Sequence, residues 1–323
     1  MFLGEVMKIV FAGTPDFALS PLQAIADAGF EIVGVVTQPD KPQGRKNILT
    51  PPPVKTLALE RGFSVLQPEK LKEDIAALKA LCGDVMVTCA YGQILTQEVL
   101  NLFPLGVWNI HAGLLPAYRG ASPIQSCILA GETQTGVTVM RTELGLDTGD
   151  ILLEERTDIG AAETYGELSS RLSNLGAALI VRALKAIENG EYALQKQAEL
   201  GANTVRKIKK EQAALDFSKD GKTLINTVRA FNPAPVAYTF LSGVKLNVYA
   251  AEIFMPNTVV TAEAIEKAAF GEVLSDSPKQ GFIVKCKGGA IKLLEVQLAG
   301  GKRMKGGDFL NGRKAQKGQV LPC

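Results

Sequence analysis

One histidine, His111, stands in a chain of 323 residues, and that scarcity removes every metal site built on two imidazoles and every proton relay through several of them. Cysteine is nearly as sparse. The five present (Cys82, Cys89, Cys127, Cys286 and Cys323) are odd in number, widely spaced and free of any CxxC pair, so neither a zinc knuckle nor a disulfide framework is expected. No apolar run approaches the ~20 residues that cross a bilayer, and the N-terminal stretch is broken by Glu5 and Lys8. The expectation is a soluble, cytoplasmic protein. Two nucleotide signatures are missing as well. GxxxxGK[ST] does not occur, and the first turn, Gly13-Thr14-Pro15-Asp16-Phe17, lacks the second and third glycines of GxGxxG, which disfavours NAD or FAD.

What remains is ordinary globular composition, 46% hydrophobic and 21% charged, long enough for two domains. The net charge of +2 conceals an asymmetry. Residues 1 to 208 carry 18 Lys and Arg against 23 Asp and Glu, whereas residues 209 to 323 carry 17 against 10. A basic C-terminal third suggests an anionic partner engaged by that part, although a solvated basic surface fits the count equally well.

Short apolar runs at Met7–Gly13, Glu31–Val36, Asp84–Thr88 and Gly106–Ile110 alternate with helical stretches at Pro15–Ala28 and Leu71–Leu81. Such alternation implies an α/β architecture: a Rossmann-like open parallel sheet with helices on both faces. Leu168, Leu172, Leu175, Leu179 and Leu184 fall close to one stripe of a long helix over Thr164–Asn189. Periodicity weakens between 190 and 208, read as a linker. Beyond it a helix at Leu224–Phe231 and strands at Val236–Leu241, Lys245–Ala251, Gly281–Cys286 and Ile291–Gln297 predict an OB-like β-barrel. The expected division is a catalytic domain over 1–189, a linker over 190–208 and a C-terminal barrel domain over 209–323.

Chemistry concentrates in Trp108 to Gly120. Asn109 and His111 are two apart at the end of an apolar strand and so project to the same side, at the carboxyl end of a sheet where α/β folds bind ligands. An amide donor beside an imidazole suits acyl transfer, the amide holding a developing oxyanion and the imidazole moving a proton. A core histidine satisfied by a carbonyl is the plainer alternative. Asp147, in the glycine-bracketed turn Leu144–Asp150, is placed to orient that imidazole or to be a turn aspartate only. The stretch from Gln38 to Pro53 is long for a βα connection, and its Lys41, Arg45 and Lys46 suit phosphate contacts or a solvated loop alike.

FAGTPDFA at Phe11–Ala18, VTQPDKPQGR at Val36–Arg45, NIHAGLLPAYRGASPIQ at Asn109–Gln125, QTGVT at 134–138, LGLDTGDIL at 144–152 and RAFNPAP at Arg229–Pro235 together resemble the methionyl-tRNA formyltransferases, nearly end to end. The resemblance implies a formyltransferase fold with a C-terminal tRNA-binding barrel, and an enzyme moving the formyl group of 10-formyltetrahydrofolate to the α-amine of initiator methionyl-tRNA, without a metal and as a monomer. It makes Asn109, His111 and Asp147 the catalytic set, with His111 working in its protonated form. It assigns Gly113, Leu114, Leu115 and Pro116 to the folate site, Val87–Ile94 to the backbone facing the pterin, and Arg45, flanked by Lys41 and Lys46, to the tRNA acceptor end. Lys209, Lys210, Lys302, Arg303, Lys305, Arg313 and Lys314 are candidate phosphate contacts. Gly113 stands where this family usually has serine. Three competitors share parts of the pattern: an amino sugar nucleotide formyltransferase, a glycinamide ribonucleotide formyltransferase and a non-catalytic RNA-binding module.

Overall fold

The structure is a computed structural model that describes residues 6–44, 47–312 and 315–322. Arg45 and Lys46 of the expected tRNA loop, and Arg313 and Lys314 of the basic third, lie outside the described residues. No helix among the described residues is long and apolar enough to cross a membrane.

Two compact units form, and they are not consecutive stretches: 1–123, 134–158 and 169–206 make the first, and 124–133, 159–168 and 207–323 the second. In chain order the first half carries β1 (Lys8–Gly13), α1 (Leu19–Asp27), β2 (Glu31–Val36), β3 (Lys41–Gln43), β4 (Ile48–Thr50), α2 (Pro53–Glu60), β5 (Val65–Leu66), α3 (Ile75–Ala80), β6 (Val85–Cys89), α4 (Gln97–Leu100), β7 (Val107–His111), β8 (Arg119–Gly120), α5 (Pro123–Ala130), β9 (Gln134–Arg141), β10 (Ile151–Asp158) and α6 (Tyr165–Asn189). A seven-stranded sheet runs β10-β9-β7-β6-β1-β2-β5. Its inner pairings are parallel, as expected, whereas β9 and β10 close one edge antiparallel. Connection length accounts for the outermost pair. β9 and β10 are joined by a short glycine-rich turn, which permits only antiparallel neighbours, since a parallel return needs a dozen or more residues.

Ile9–Ala12 and every residue of β6 are buried, the continuous apolar signature of strands covered on both faces. Of the leucine stripe, Leu168, Leu172, Leu179 and Leu184 are buried and Leu175 is half-buried. The long connection after β2 is not structureless. β3 and β4 pair as a small hairpin, and Asp40 at its base accepts from Lys55 Nζ at 2.8 Å and Gln67 Nε2 at 2.7 Å.

The second unit contains β11's successors along the chain, once β11 itself (Thr204–Val205) has returned to the first unit to pair with β8. They are α7 (Gly221–Ala230), β12 (Ala237–Leu241), β13 (Val244–Phe254), α8 (Ala262–Lys267), β14 (Phe282–Cys286), β15 (Gly289–Leu298), β16 (Met304–Lys305) and α9 (Gly306–Asn311). The sheet is antiparallel in the order β12-β13-β15-β14, with β16 on β15. Register shifts along β13 opposite β15, between Val248 and Ala251, bend the ribbon, so the sheet curls into a half-barrel, and no ladder pairs β12 with β14 among the described residues. Alternate residues of β14 serve different clusters: Phe282 and Val284 join Phe217, Leu224, Leu293 and Phe309, while Ile283 joins Val260, Ile265 and Leu274. Two-sided burial explains why FIVKC reads as an unbroken apolar run around one lysine.

Candidate active site

β6 and β7 are parallel neighbours, with Thr88 opposite Asn109. Asn109 and His111 therefore emerge on one side at the carboxyl end of the sheet. The same ladder supplies a partner that sequence pattern did not single out. Thr88 Oγ1 donates to Asn109 Oδ1 at 2.8 Å, which occupies the amide carbonyl and leaves Nδ2 facing Asp147 Oδ1 at 3.5 Å. Asp147 lies on the turn between β9 and β10 at φ 50°, a left-handed conformation that aspartate tolerates better than most residues. Its Oδ2 accepts from Gly120 N–H at 2.7 Å and sits 3.5 Å from His111 Nδ1. The three expected catalytic residues thus converge, each within 3.5 Å of another.

His111 is 4% exposed. Burial holds its imidazole below the ordinary value of 6.5, with the Asp147 carboxylate and the Tyr118 carbonyl pulling the other way. Its Nε2 lies 3.1 Å from Tyr118 O. The Tyr118 carbonyl and the Asp147 carboxylate both only accept, so each ring nitrogen faces an acceptor: the neutral ring satisfies one of them and the protonated ring both. Depression of the imidazole favours the neutral ring at rest, and the protonated form expected during the reaction is the one that both neighbours hold.

The Gly113–Pro116 loop follows β7 directly. Thr138 Oγ1 on β9 donates to Gly113 O at 2.7 Å and accepts from Leu115 N–H at 3.4 Å, pinning the loop to the sheet. A Cβ on Gly113 would lie 3.2 Å from His111 Nε2, so the missing side chain leaves room for the ring. Leu115 and Pro116 line a cavity of about 460 Å³ with Ile151–Glu154 and Ala193–Ala198; Asn109, His111 and Asp147 are not among its lining residues. In Val87–Ile94 the chain leaves β6 at Ala90 and Gly92, both exposed and both at positive φ, 48° and 85°. Lys41 is exposed on β3. In the basic third, Arg303 is already engaged, with Glu295 at 2.5 Å and over the Tyr249 ring at 4.1 Å.

The segment read as a linker also reaches this site. β11 pairs with Arg119–Gly120 in a parallel bridge, Asn203 O accepts from Arg119 N–H at 3.0 Å, and Gln195 exchanges two 2.8 Å hydrogen bonds with Ile151. Gly120 permits the pairing: it has φ 112°, and a Cβ there would fall 2.4 Å from Val205 O. Nothing in the local pattern of 190–208 marks these partners, because their significance lies in which distant residues they oppose.

The Thr88 contact has a checkable consequence. Thr88→Val keeps the strand and the volume but frees the Asn109 carbonyl, and should lower turnover about tenfold, the worth of roughly one hydrogen bond, with substrate affinity unchanged. Thr88→Ser should retain most of the rate. Wild-type turnover in the valine variant would remove Thr88 from the site's machinery.

Comparison with known proteins follows the geometry. The formyl transferase family model matches residues 7–184, and the formyl transferase C-terminal domain model matches 207–314. A methionyl-tRNA formyltransferase of Bacillus licheniformis is 45% identical over 97% of this chain and 98% of its own, and one of Neisseria meningitidis is 44% identical over 98% of this chain and all of its own. Among solved structures, the N-formyltransferase from Helicobacter canadensis with folinic acid and dTDP-3-aminofucose is 17% identical, with a TM-score of 0.65 over 93% of this chain and all of that one. HypX from Aquifex aeolicus in complex with tetrahydrofolic acid is 17% identical, with a TM-score of 0.62 over 99% of this chain and 51% of that one. At such identities these structures speak for the fold alone. With both family models matched and relatives near 45% identical along almost the whole chain, this protein belongs to the methionyl-tRNA formyltransferase family.

Proposed function

We propose that the protein transfers a formyl group from 10-formyltetrahydrofolate to the α-amino group of methionyl-initiator tRNA, with Asn109, His111 and Asp147 as the catalytic residues. The observation that carries this reading is the convergence of an amide donor, a buried imidazole and a carboxylate at the carboxyl end of the parallel strands. A binding module has no use for such a set. The residues present also fit the donor. Ala90 and Gly92, small residues with exposed backbone at positive φ, suit a flat heterocycle read by main-chain groups, and the family resemblance assigns Gly113–Pro116 to the same folate site. When bound, that donor supplies an electrophilic formyl carbon.

Asn109 Nδ2 donates to the oxygen on which negative charge develops as the amine adds, a contact strongest in the transition state. His111 takes the proton that the amine sheds and returns it to the folate nitrogen, whose bond to the formyl carbon breaks as the new amide bond is completed. Asp147 holds the resulting imidazolium from one side while the Tyr118 carbonyl holds it from the other. The free amine, with an intrinsic pKa of about 8, reacts in its neutral form, so a neutral resting imidazole is the matching partner.

Lys41, Arg45 and Lys46 and the basic residues beyond 208 are the proposed tRNA contacts. Purified protein incubated with 10-formyltetrahydrofolate and methionyl-initiator tRNA should yield N-formylmethionyl-tRNA, with an amino sugar nucleotide run in parallel remaining unmodified; transfer only to the sugar would overturn the tRNA assignment. Binding should weaken with salt. Four neutralised phosphates would lower affinity on the order of a hundredfold between about 50 and 200 mM salt, and a flat response would exclude the basic contacts.

A further inference from the structure

Gln197 lies in the stretch between α6 and β11, far in sequence from every residue of the catalytic set, and all of its amide hydrogen-bonding capacity is spent on the turn that carries Asp147 and on Arg119, in the segment that follows β7. Nε2 donates to Asp147 O at 2.9 Å and to Gly149 O at 2.7 Å. Oε1 accepts from Arg119 Nε at 3.0 Å and from Arg119 Nη2 at 2.6 Å. Arg119 follows Tyr118, whose carbonyl holds His111, and precedes Gly120, whose N–H holds the Asp147 carboxylate. One side chain therefore joins the backbone under the carboxylate to the strand that backs the imidazole.

We propose that Gln197 is a positioning residue for the transfer reaction, clamping Asp147 in its left-handed backbone conformation so that the carboxylate stays aimed at His111 and Asn109.

Three features make the amide the right group. Asp147 is a non-glycine residue at φ 50°, a conformation that persists only where surroundings over-determine it, and its own carbonyl is where the clamp acts. A carboxylate at 197 keeps the Arg119 contact but has no N–H to offer Asp147 O and Gly149 O, and instead repels them. An aliphatic side chain gives up both halves. Gln197 is itself held in place, since Gln195 is paired on both sides of Ile151 and β11 is paired with β8, so the clamp is anchored at each end of its segment. Gln197 touches none of the reacting groups directly and acts through Asp147. A displacement of the carboxylate by about 1 Å is enough to cost on the order of a hundredfold in a well-oriented reaction.

The inference rests on the formyl-transfer reading for its kinetic arm and is independent of it for its spectroscopic arm. Gln197→Glu and Gln197→Leu should each lower kcat about ten- to hundredfold with KM for methionyl-tRNA within about twofold, because tRNA contacts lie elsewhere. The chain has one histidine, so its ring resonance can be titrated by NMR in the same variants without substrate. Asp147 supports the protonated ring, and moving it away should shift the His111 midpoint downward in both variants relative to wild type. A His111 midpoint unchanged in both variants, or wild-type kcat in either, would overturn the clamp. An inactive wild-type enzyme would instead fail the functional reading, and the titration would still decide the role of Gln197. A variant that fails to fold shows a dispersed-to-collapsed spectrum, and Gln197→Glu, which keeps the Arg119 pairing, is then the deciding one.

Discussion

Asn109→Ala lowers kcat for formyl transfer by about 10² to 10³, while the affinity for methionyl-tRNA is unaffected. The size follows from how the amide is held. Its Oδ1 is occupied by Thr88, and its Nδ2 has only a 3.5 Å contact to Asp147 in the resting protein, so the donor is aimed but barely engaged. Its full strength is realised when negative charge appears in front of it, which is the condition for a group to raise kcat rather than lower KM. Single-turnover kinetics at saturating tRNA is the measurement. Equal losses in rate and affinity would make Asn109 a binding residue instead. Because Thr88 acts through Asn109, the double variant with Thr88→Val should be no slower than Asn109→Ala alone.

His111→Gln should cost about 10² to 10⁴ in kcat, since glutamine can mimic the imidazole's shape and donor but cannot take up a proton. The protonation equilibrium behind this is measurable on its own. The sole histidine resonance should titrate with a midpoint below 6.5, because burial outweighs the carboxylate and the carbonyl, and Asp147→Asn should move it lower still. A midpoint above 6.5 would mean that Asp147 and the Tyr118 carbonyl together outweigh burial. The same equilibrium fixes a sign for stability. A histidine whose folded-state value is depressed binds fewer protons folded than unfolded below about 6.5, so stability is complete above that pH and declines as pH falls from 6.5 toward the folded value. Denaturant unfolding at pH 7.5 and 5.5 should therefore show a loss in the wild type that is smaller in His111→Gln.

Much of this site was legible because its residues sit on regular elements. Asn109 and His111 are two apart on a buried strand, so period-two alternation alone puts them on one side. The leucine spacing of α6 and the strands of the half-barrel were equally plain, because burial on a fixed face leaves a periodic trace. Asp147 was harder: a turn carries no periodicity, so its residues left it open between orienting the imidazole and being a turn aspartate, and the resemblance to a family made it part of the set. Thr88 was visible as a residue of a buried strand but not as the partner of Asn109, since register between strands is a non-local quantity. Gln197 was hidden altogether, as its meaning depends on Arg119 and Asp147, 78 and 50 positions away. The direction in which His111 is shifted was hidden for a related reason. The charged neighbour shows in sequence, while the depth of burial does not.

The interleaving of the two compact units bears on how such a protein can be inherited. The second unit draws 124–133 and 159–168 from within the first half, and Arg229 of α7 donates from Nη1 to Gly160 O at 3.3 Å, so a gene severed after residue 206 would deliver the basic half-barrel without segments that complete it. No single recombination junction separates the parts. A fusion or truncation placed at that point would cut through the second unit's own fold rather than between two independent pieces.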